Sequence, residues 1–185
     1  MNPQDVLLQL LDENDHYIHD LLNHAPDDCL NWRADGQANS IAHLIWHVAR
    51  AQDVFFWQHV RGQTAAEEIW AKNGWAERSG YTPTGAGTNG WGMLTGYSAE
   101  EVMAIPLMSR DILLGYYDAV GSAIRDYLAT TDIPTLSAKA PGYNGQQTNW
   151  FWVRHPLFDM TRHVGEMLAL KGQWERQSKA PGVAE

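Results

Sequence analysis

Four stretches of this sequence carry apolar residues at every third or fourth position, with polar residues between them. This spacing matches one face of an α-helix and predicts four long amphipathic helices. The helices are expected at about residues 4–23, 40–60, 109–128 and 156–176. Because each helix must bury its apolar face against another, the pattern predicts an all-α fold, an antiparallel four-helix bundle.

Local signals mark several of the helix ends. Ser40 is placed to cap the second helix, and Pro156 suits the first position of the fourth. Ser98 and Glu101 match a capping box for a short additional helix. Within the third helix, Gly115 is expected to cost up to about 1 kcal/mol relative to alanine, and so is Gly121.

The helical periodicity fails in two places, which predicts long irregular loops between helices 2 and 3 and between helices 3 and 4. Residues 63–95 combine six glycines with three tryptophans, and residues 134–149 contain Pro-Gly and Asn-Gly turn signals. A loop this long in a compact domain is often functional. We expect one folded domain over residues 1–176 and a flexible tail over residues 177–185.

The charge balance excludes one large class of partners. The chain has 22 acidic and 13 basic residues, a net charge of -9, and no cluster of Lys or Arg. Nucleic acid is therefore not expected as a partner, since phosphate binding needs a basic surface. The first residues lack the basic region of a signal peptide, and no apolar run approaches the roughly 18 residues of a membrane span. We expect a cytoplasmic protein that acts on a small molecule and does not contact a membrane.

Nine tryptophans are a high number for this length, and several fall in the predicted loops or next to them. We favour core and loop packing as their role, and an aromatic wall around a ligand pocket is the alternative. The residues concerned are Trp70, Trp75, Trp91, Trp150 and Trp152.

A metal site is suggested by two residues of the fourth helix and one of the second. Asp159 and His163 are four residues apart and share the helix face that continues into apolar residues. His47 lies on the apolar stripe of the second helix, and ligands from facing helices are how bundles build metal sites. Cys29 is the single cysteine, so a thiolate cluster is excluded and any ligands must be His or carboxylate. Two imidazoles and one carboxylate suit Zn, Ni, Fe or Mn, and a buried hydrogen-bond network of purely structural value is the alternative.

Other polar residues near these positions are candidates for supporting roles. His155 is a further candidate ligand, one turn before Asp159. His43, one turn before His47, is predicted to neighbour the site as an orienting or acid-base group rather than to bind the ion. Glu166 could orient His163 or act as an acid or base. The remaining histidines are expected near the surface; they are His16, His19, His24 and His59.

Two motifs resemble the DinB/YfiT-like superfamily of bacterial four-helix metal-binding proteins. Residues 39–49 read NSIAHLIWHVA, which is similar to the family's second-helix pattern with its ligand histidine at His47. Residues 159–166 read DMTRHVGE, similar to the family's H-x-x-x-H-x-G-[QE], with Asp159 in place of the first histidine. The resemblance extends over roughly residues 4–176 and implies a divalent metal site, which we expect to persist because aspartate offers a ligand atom.

The resemblance also implies a function. Family members of known activity are thiol-dependent enzymes, such as S-transferases that use mycothiol or bacillithiol, and a maleylpyruvate isomerase. We therefore favour a metal-dependent S-transferase that activates a low-molecular-weight thiol. A metal-dependent hydrolase and a non-catalytic small-molecule-binding or stress-related protein are the alternatives. Members of this family often pair, so a homodimer is also expected.

Overall fold

The four long helices of a computed structural model lie where the periodicity of the sequence places them. The structure describes residues 2–36 and 38–179. Five shorter helices lie in the connections between the long ones. In chain order the helices are α1 (Pro3–His24), α2 (Asp27–Asn31), α3 (Ile41–Val54), α4 (Ile69–Lys72), α5 (Trp75–Ser79), α6 (Ala99–Met103), α7 (Arg110–Thr130), α8 (Ile133–Ser137) and α9 (Asn149–Lys179).

The predicted caps are present. The side chain of Ser40 accepts a hydrogen bond from the backbone N–H of His43, and Ser98 and Glu101 form the predicted capping box of α6. The second predicted helix continues past α3 as a π-helical segment, Phe55–Val60. Such wide turns insert an extra residue into a helix and are often found near functional sites.

The fourth long helix begins earlier than predicted. It starts at Asn149, so Pro156 lies inside the helix rather than at its first position. Proline in a helix interior removes one backbone hydrogen bond and costs about 3 kcal/mol. The extra turns are stabilised by packing, since Trp152 and Val153 are buried and the Trp152 ring lies 5.1 Å from that of Phe55. At its other end α9 includes residues 177–179 of the predicted tail, and residues 180–185 lie outside the described residues.

The four long helices form a ring in which α1 and α3 each pack against both α7 and α9. Side-chain contacts at both ends show that α1 and α7 are antiparallel and that α3 and α9 are antiparallel. The contacts are Gln4 with Thr131 and Arg110 with Ala25 for the first pair, and His47 with Asp159 and Phe55 with Trp152 for the second.

The other two packed pairs are parallel. In α1 and α9, Asn14 donates to the Thr161 hydroxyl, while Pro3 and Trp150 line one cavity eleven residues earlier in each helix. In α3 and α7, Asp53 accepts a hydrogen bond from Tyr116. The π-helical segment that follows α3 places the ring of Phe56 next to that of Tyr127. Since α3 and α7 point the same way, residues 61–109 must return along the bundle, which explains their length. This connection is called the crossover below.

The crossover is anchored to the bundle by a fully buried charge network. Arg50 of α3 donates to Glu68 at 2.9 Å and to Asp53 at 3.3 Å. Asp53 also accepts from the backbone N–H groups of Ile69 and Trp70, at 2.8 and 2.9 Å. The network thus binds the start of α4 to α3.

Gly115 has a packing role that its helix propensity does not reveal. A Cβ at this position would lie 2.6 Å from the ring of Trp75, which α5 places against α7. The absence of a side chain therefore lets the crossover approach α7, and the cost in helix propensity is offset by that contact.

His59 is buried, so the expectation of a surface position was wrong. It exposes 3% of its surface, and neither ring nitrogen has a hydrogen-bond partner among the described residues. Its ring lies 4.2 Å from that of Trp152, because the π-helical segment turns it toward α9. Burial lowers the pKa of His59 from 6.5 to about 4.

This depressed pKa predicts acid sensitivity. The unfolded chain binds a proton at His59 more readily than the folded chain does. The stability that neutral His59 contributes to the folded state is therefore complete above pH 6.5 and is lost as the pH falls toward 4. We expect about 3 kcal/mol of the unfolding free energy to disappear over this interval. The His59→Phe variant, whose new side chain suits the surrounding aromatic rings, should lose less unfolding free energy over the same pH interval. Urea denaturation of both proteins at several pH values would refute the prediction if the two showed equal pH dependence.

No helix among residues 2–36 and 38–179 has both the length and the apolar character required to span a membrane. The same residues contain no β-strand; an isolated bridge joins Lys139 to Thr148 in the loop before α9. The all-α fold predicted from the sequence is confirmed.

Candidate metal centre

Three side chains from α3 and α9 meet at one point in the bundle. His47 comes from α3, and Asp159 and His163 come from successive turns of α9. Nε2 of His47 lies 3.3 Å from Oδ2 of Asp159, and Nε2 of His163 lies 3.6 Å from the same oxygen. One ligand atom from each residue lies within 4.8 Å of the other two, which makes the group able to hold a metal ion.

The two imidazole rings are oriented by oxygens on their far sides. Nδ1 of His47 donates to the backbone carbonyl of Met93, and Nδ1 of His163 lies 2.9 Å from a carboxylate oxygen of Glu166. A carbonyl or carboxylate oxygen accepts, so Nδ1 carries the proton in each ring. Each Nε2 therefore faces Asp159, where it can either donate a proton to the carboxylate or give its lone pair to a metal ion. Histidine ligands of metal sites are typically oriented by such an outer hydrogen bond.

Asp159 uses its two oxygens differently. Oδ1 accepts from Arg162 at 2.6 Å, which leaves Oδ2 to face the two imidazoles. Hydrogen bonds from His163 and His47 hold the pKa of Asp159 well below its usual range, and the bond to Asp159 raises the pKa of His163. Two lone pairs and a carboxylate oxygen thus converge on a position that attracts a cation, either a proton or a metal ion. The donor set fits a divalent metal.

A cavity of ≈ 420 Å³ opens above these three residues. Its walls combine apolar and aromatic side chains with a few polar groups, as in many small-molecule sites. Besides the three residues, it is lined by Asn39, Ala51, Phe55, Trp91, Met93, Leu94, Thr95 and His155. Residues 91–95 belong to the crossover, so the predicted long loop does border the site.

The other predicted site residues have different positions relative to the metal centre. His155 lines the cavity but is outside the three-residue group, and its ring stacks on Phe151 at 5.2 Å. Glu166 contacts His163, as expected for an orienting group. His43 is not among the described residues that line the cavity. Burial, followed by the charge of Arg33, lowers the pKa of His43 to about 4.

Of the tryptophans in and around the predicted loops, Trp91 lines the cavity. Trp70, Trp75 and Trp152 are buried in the core, and Trp150 lines a different cavity with Pro3. Packing is therefore the commoner role in this set, and an aromatic wall around a ligand stays a prediction for Trp91.

Two hydrogen-bond partners of the ligand group were not predicted from the sequence. The Met93 carbonyl is a backbone atom, so no residue type signals its role. Arg162 did carry a signal, because it lies three residues after Asp159 and so shares its helix face.

Comparison with known proteins shows both a fold relative and a family. The crystal structure of a conserved protein from Enterococcus faecalis matches with a TM-score of 0.75, covering 92% of this chain and 96% of that one. The two share 16% sequence identity, so this likeness supports the fold alone. No curated protein is detectably similar in sequence. The family model of the DinB superfamily matches residues 10–167. The chain therefore belongs to the DinB superfamily.

Proposed function

We propose that this protein is a metal-dependent S-transferase that joins a low-molecular-weight thiol to a small electrophile. One observation carries the proposal: three ligand atoms converge at the wall of a cavity, and the outer atoms of all three side chains are already hydrogen-bonded. Three protein ligands leave a position open for an exogenous ligand. A divalent metal bound there supplies a Lewis acid that lowers the pKa of a thiol. Zn, Ni, Fe and Mn all suit two imidazoles and one carboxylate.

The chain's own residues have distinct parts in this proposal. His47, Asp159 and His163 hold the ion, while the Met93 carbonyl and Glu166 fix the directions of the two imidazoles. Phe55, Trp91 and Leu94 provide an apolar wall for the electrophile and exclude water from that side.

His155 is the titratable side chain among the described lining residues that lies outside the ligand group. It is therefore our candidate to accept the proton released by the thiol and to return it to the product. The acid or base roles considered for Glu166 and His43 stay predictions.

Thiol titration of metal-loaded protein tests the proposal. We expect calorimetry to show binding of a probe thiol such as β-mercaptoethanol to the Zn²⁺-loaded protein, with release of about one proton. Asp159→Asn should abolish that binding. Asp118→Asn is the matched control, because Asp118 also contacts a histidine, His19, at 2.7 Å, but between α1 and α7. Loaded protein that bound neither thiol nor electrophile would overturn the S-transferase.

The same site could instead activate water, which would make the protein a hydrolase. The open ligand position favours this second candidate as well. Turnover of a model ester by the loaded protein, abolished in His163→Ala, would support it. If the chain takes up no Zn²⁺, Ni²⁺ or Mn²⁺, a non-catalytic small-molecule-binding or stress-related role becomes the better explanation.

We further propose a cytoplasmic homodimer. Helices α1 and α9 expose large apolar side chains, among them Tyr17 at 44% and Phe158 at 55%, which supports pairing through exposed apolar surface. A monomer at micromolar concentration in analytical ultracentrifugation would contradict the dimer. Fractionation of the native cells would test the location.

A further inference from the structure

The hydrogen bonds of Arg50 go to none of the three ligand side chains, yet they lead to the backbone beside one of their partners. It is fully buried and lies one turn after His47 on α3. Nε donates to the carbonyl of Gly92 at 3.1 Å, and one terminal nitrogen donates to the carbonyl of Trp91 at 3.2 Å. The next residue along the crossover is Met93, whose carbonyl accepts from His47. We propose that Arg50 is a positioning residue for the metal centre.

The crossover needs such an anchor at this point. Leu94 has a φ of 74°, a left-handed conformation that costs an L residue about 1 kcal/mol or more. Gly92 has a φ of 63°, and a Cβ there would lie 2.2 Å from the carbonyl oxygen of Pro83. A segment with two left-handed residues keeps one path only if its surroundings fix it. The two bonds from Arg50 immediately before Met93 meet this requirement.

The path of this segment decides which nitrogen of His47 faces Asp159. With the Met93 carbonyl in place, Nδ1 of His47 donates to it, and the ring is held with Nε2 3.3 Å from Oδ2 of Asp159. If the carbonyl moved away, Nδ1 would lose its acceptor, and most molecules would carry the proton on Nε2, which faces the carboxylate of Asp159. Those molecules would need a tautomer change before binding an ion, which lowers the affinity in proportion to their share.

Only arginine fits this role. One planar guanidinium reaches two adjacent carbonyls of the crossover while it pairs with Glu68 at 2.9 Å and Asp53 at 3.3 Å. A lysine ammonium could keep the ion pairs, but it lacks the fork that binds both carbonyls. Arg50→Lys therefore keeps the buried charge and weakens the anchor.

The experiment measures Zn²⁺ affinity and the tautomer of His47 in parallel. We expect Arg50→Lys to lower the Zn²⁺ affinity by about 10-fold, the lower end of the range for residues that orient ligands. In metal-free protein, nitrogen NMR of His47 should show Nδ1 protonated in the parent, and a mixture of protonated and unprotonated Nδ1 in the variant. Glu68→Gln removes the ion pair of Arg50 with Glu68 but keeps the volume of the side chain at position 68. It should change the Zn²⁺ affinity and the NMR signal of His47 in the same direction, by a smaller factor.

Arg125→Lys is the matched control. Arg125 joins α7 to α1 through ion pairs with Asp12 and Asp15, away from the cavity. We expect it to leave the Zn²⁺ affinity within about twofold, which is less than 0.5 kcal/mol. If Arg50→Lys left both the affinity and the tautomer as in the parent, the positioning role would be wrong.

The inference rests on the proposed metal centre, but the two can fail separately. Parent protein that binds no metal would overturn the metal centre. The tautomer of His47 in metal-free protein would still decide whether Arg50 positions it. If Arg50→Lys does not fold, the same two measurements on Glu68→Gln decide the question.

Discussion

Replacing Asp159 with asparagine is expected to lower the affinity of this protein for Zn²⁺ by about 100-fold or more. Asp159 is the anionic member of the ligand group, and both imidazoles point at its Oδ2. Residues that merely orient ligands change affinity by about 10- to 100-fold, so loss of a ligand should have at least the larger effect. Competition against a chromophoric chelator of known affinity measures the change.

Two variants make this result specific to the site. Asp159→His restores the histidine of the family motif and should bind Zn²⁺ far better than Asp159→Asn. Asp118→Asn, at the exposed pair with His19, should bind like the parent. Parent-like affinity in Asp159→Asn would mean that the ion is bound elsewhere, or that the three residues form only a hydrogen-bond network.

Replacing Asp53 with alanine is expected to lower the free energy of unfolding by about 3–5 kcal/mol. Removing one partner from a buried ion pair typically has this cost, because the other charge stays buried. Asp53 is fully buried, and its loss also strands the two N–H groups of α4 and the hydroxyl of Tyr116. Urea denaturation followed by circular dichroism measures the change.

Asp20→Ala is the control for the second prediction. Asp20 pairs with His24 on the exposed face of α1 at 3.0 Å, and such surface pairs contribute about 0.5 kcal/mol. A loss below about 1 kcal/mol in Asp53→Ala would show that the buried network contributes little to stability. It would also imply that the crossover is anchored mainly by its apolar residues.

The parts of this fold that could be predicted from the sequence depend on local rules. Helical periodicity located four helices because it reports which side faces the core, and Ser40 signalled a helix start because its hydroxyl replaces a missing backbone partner. Asp159 and His163 were recognisable because four residues make one helical turn. His47 needed its inward position and the family resemblance, since it comes from another helix.

The parts that could not be predicted depend on tertiary packing. Pro156 stands where a helix should begin, and only the burial of the preceding turns against α3 explains why α9 starts earlier. His59 follows a helical pattern until the wide π-helical turn rotates it inward. The role of Met93 depends on a carbonyl whose position is set by the path of the crossover, which no residue type encodes.

The aspartate in the ligand group also sets the electroneutrality of the centre. A divalent ion held by one carboxylate and two neutral imidazoles keeps a single positive charge, whereas three neutral imidazoles would leave it with two. Binding of one monoanion, such as a thiolate, would bring the net charge of the centre to zero. Binding of a dianion would leave a net negative charge inside a partly desolvated cavity. The chain itself has a net charge of -9, so anions are not drawn in from a distance. Selection among anions would then arise at the ion itself, by charge matching over a few ångströms.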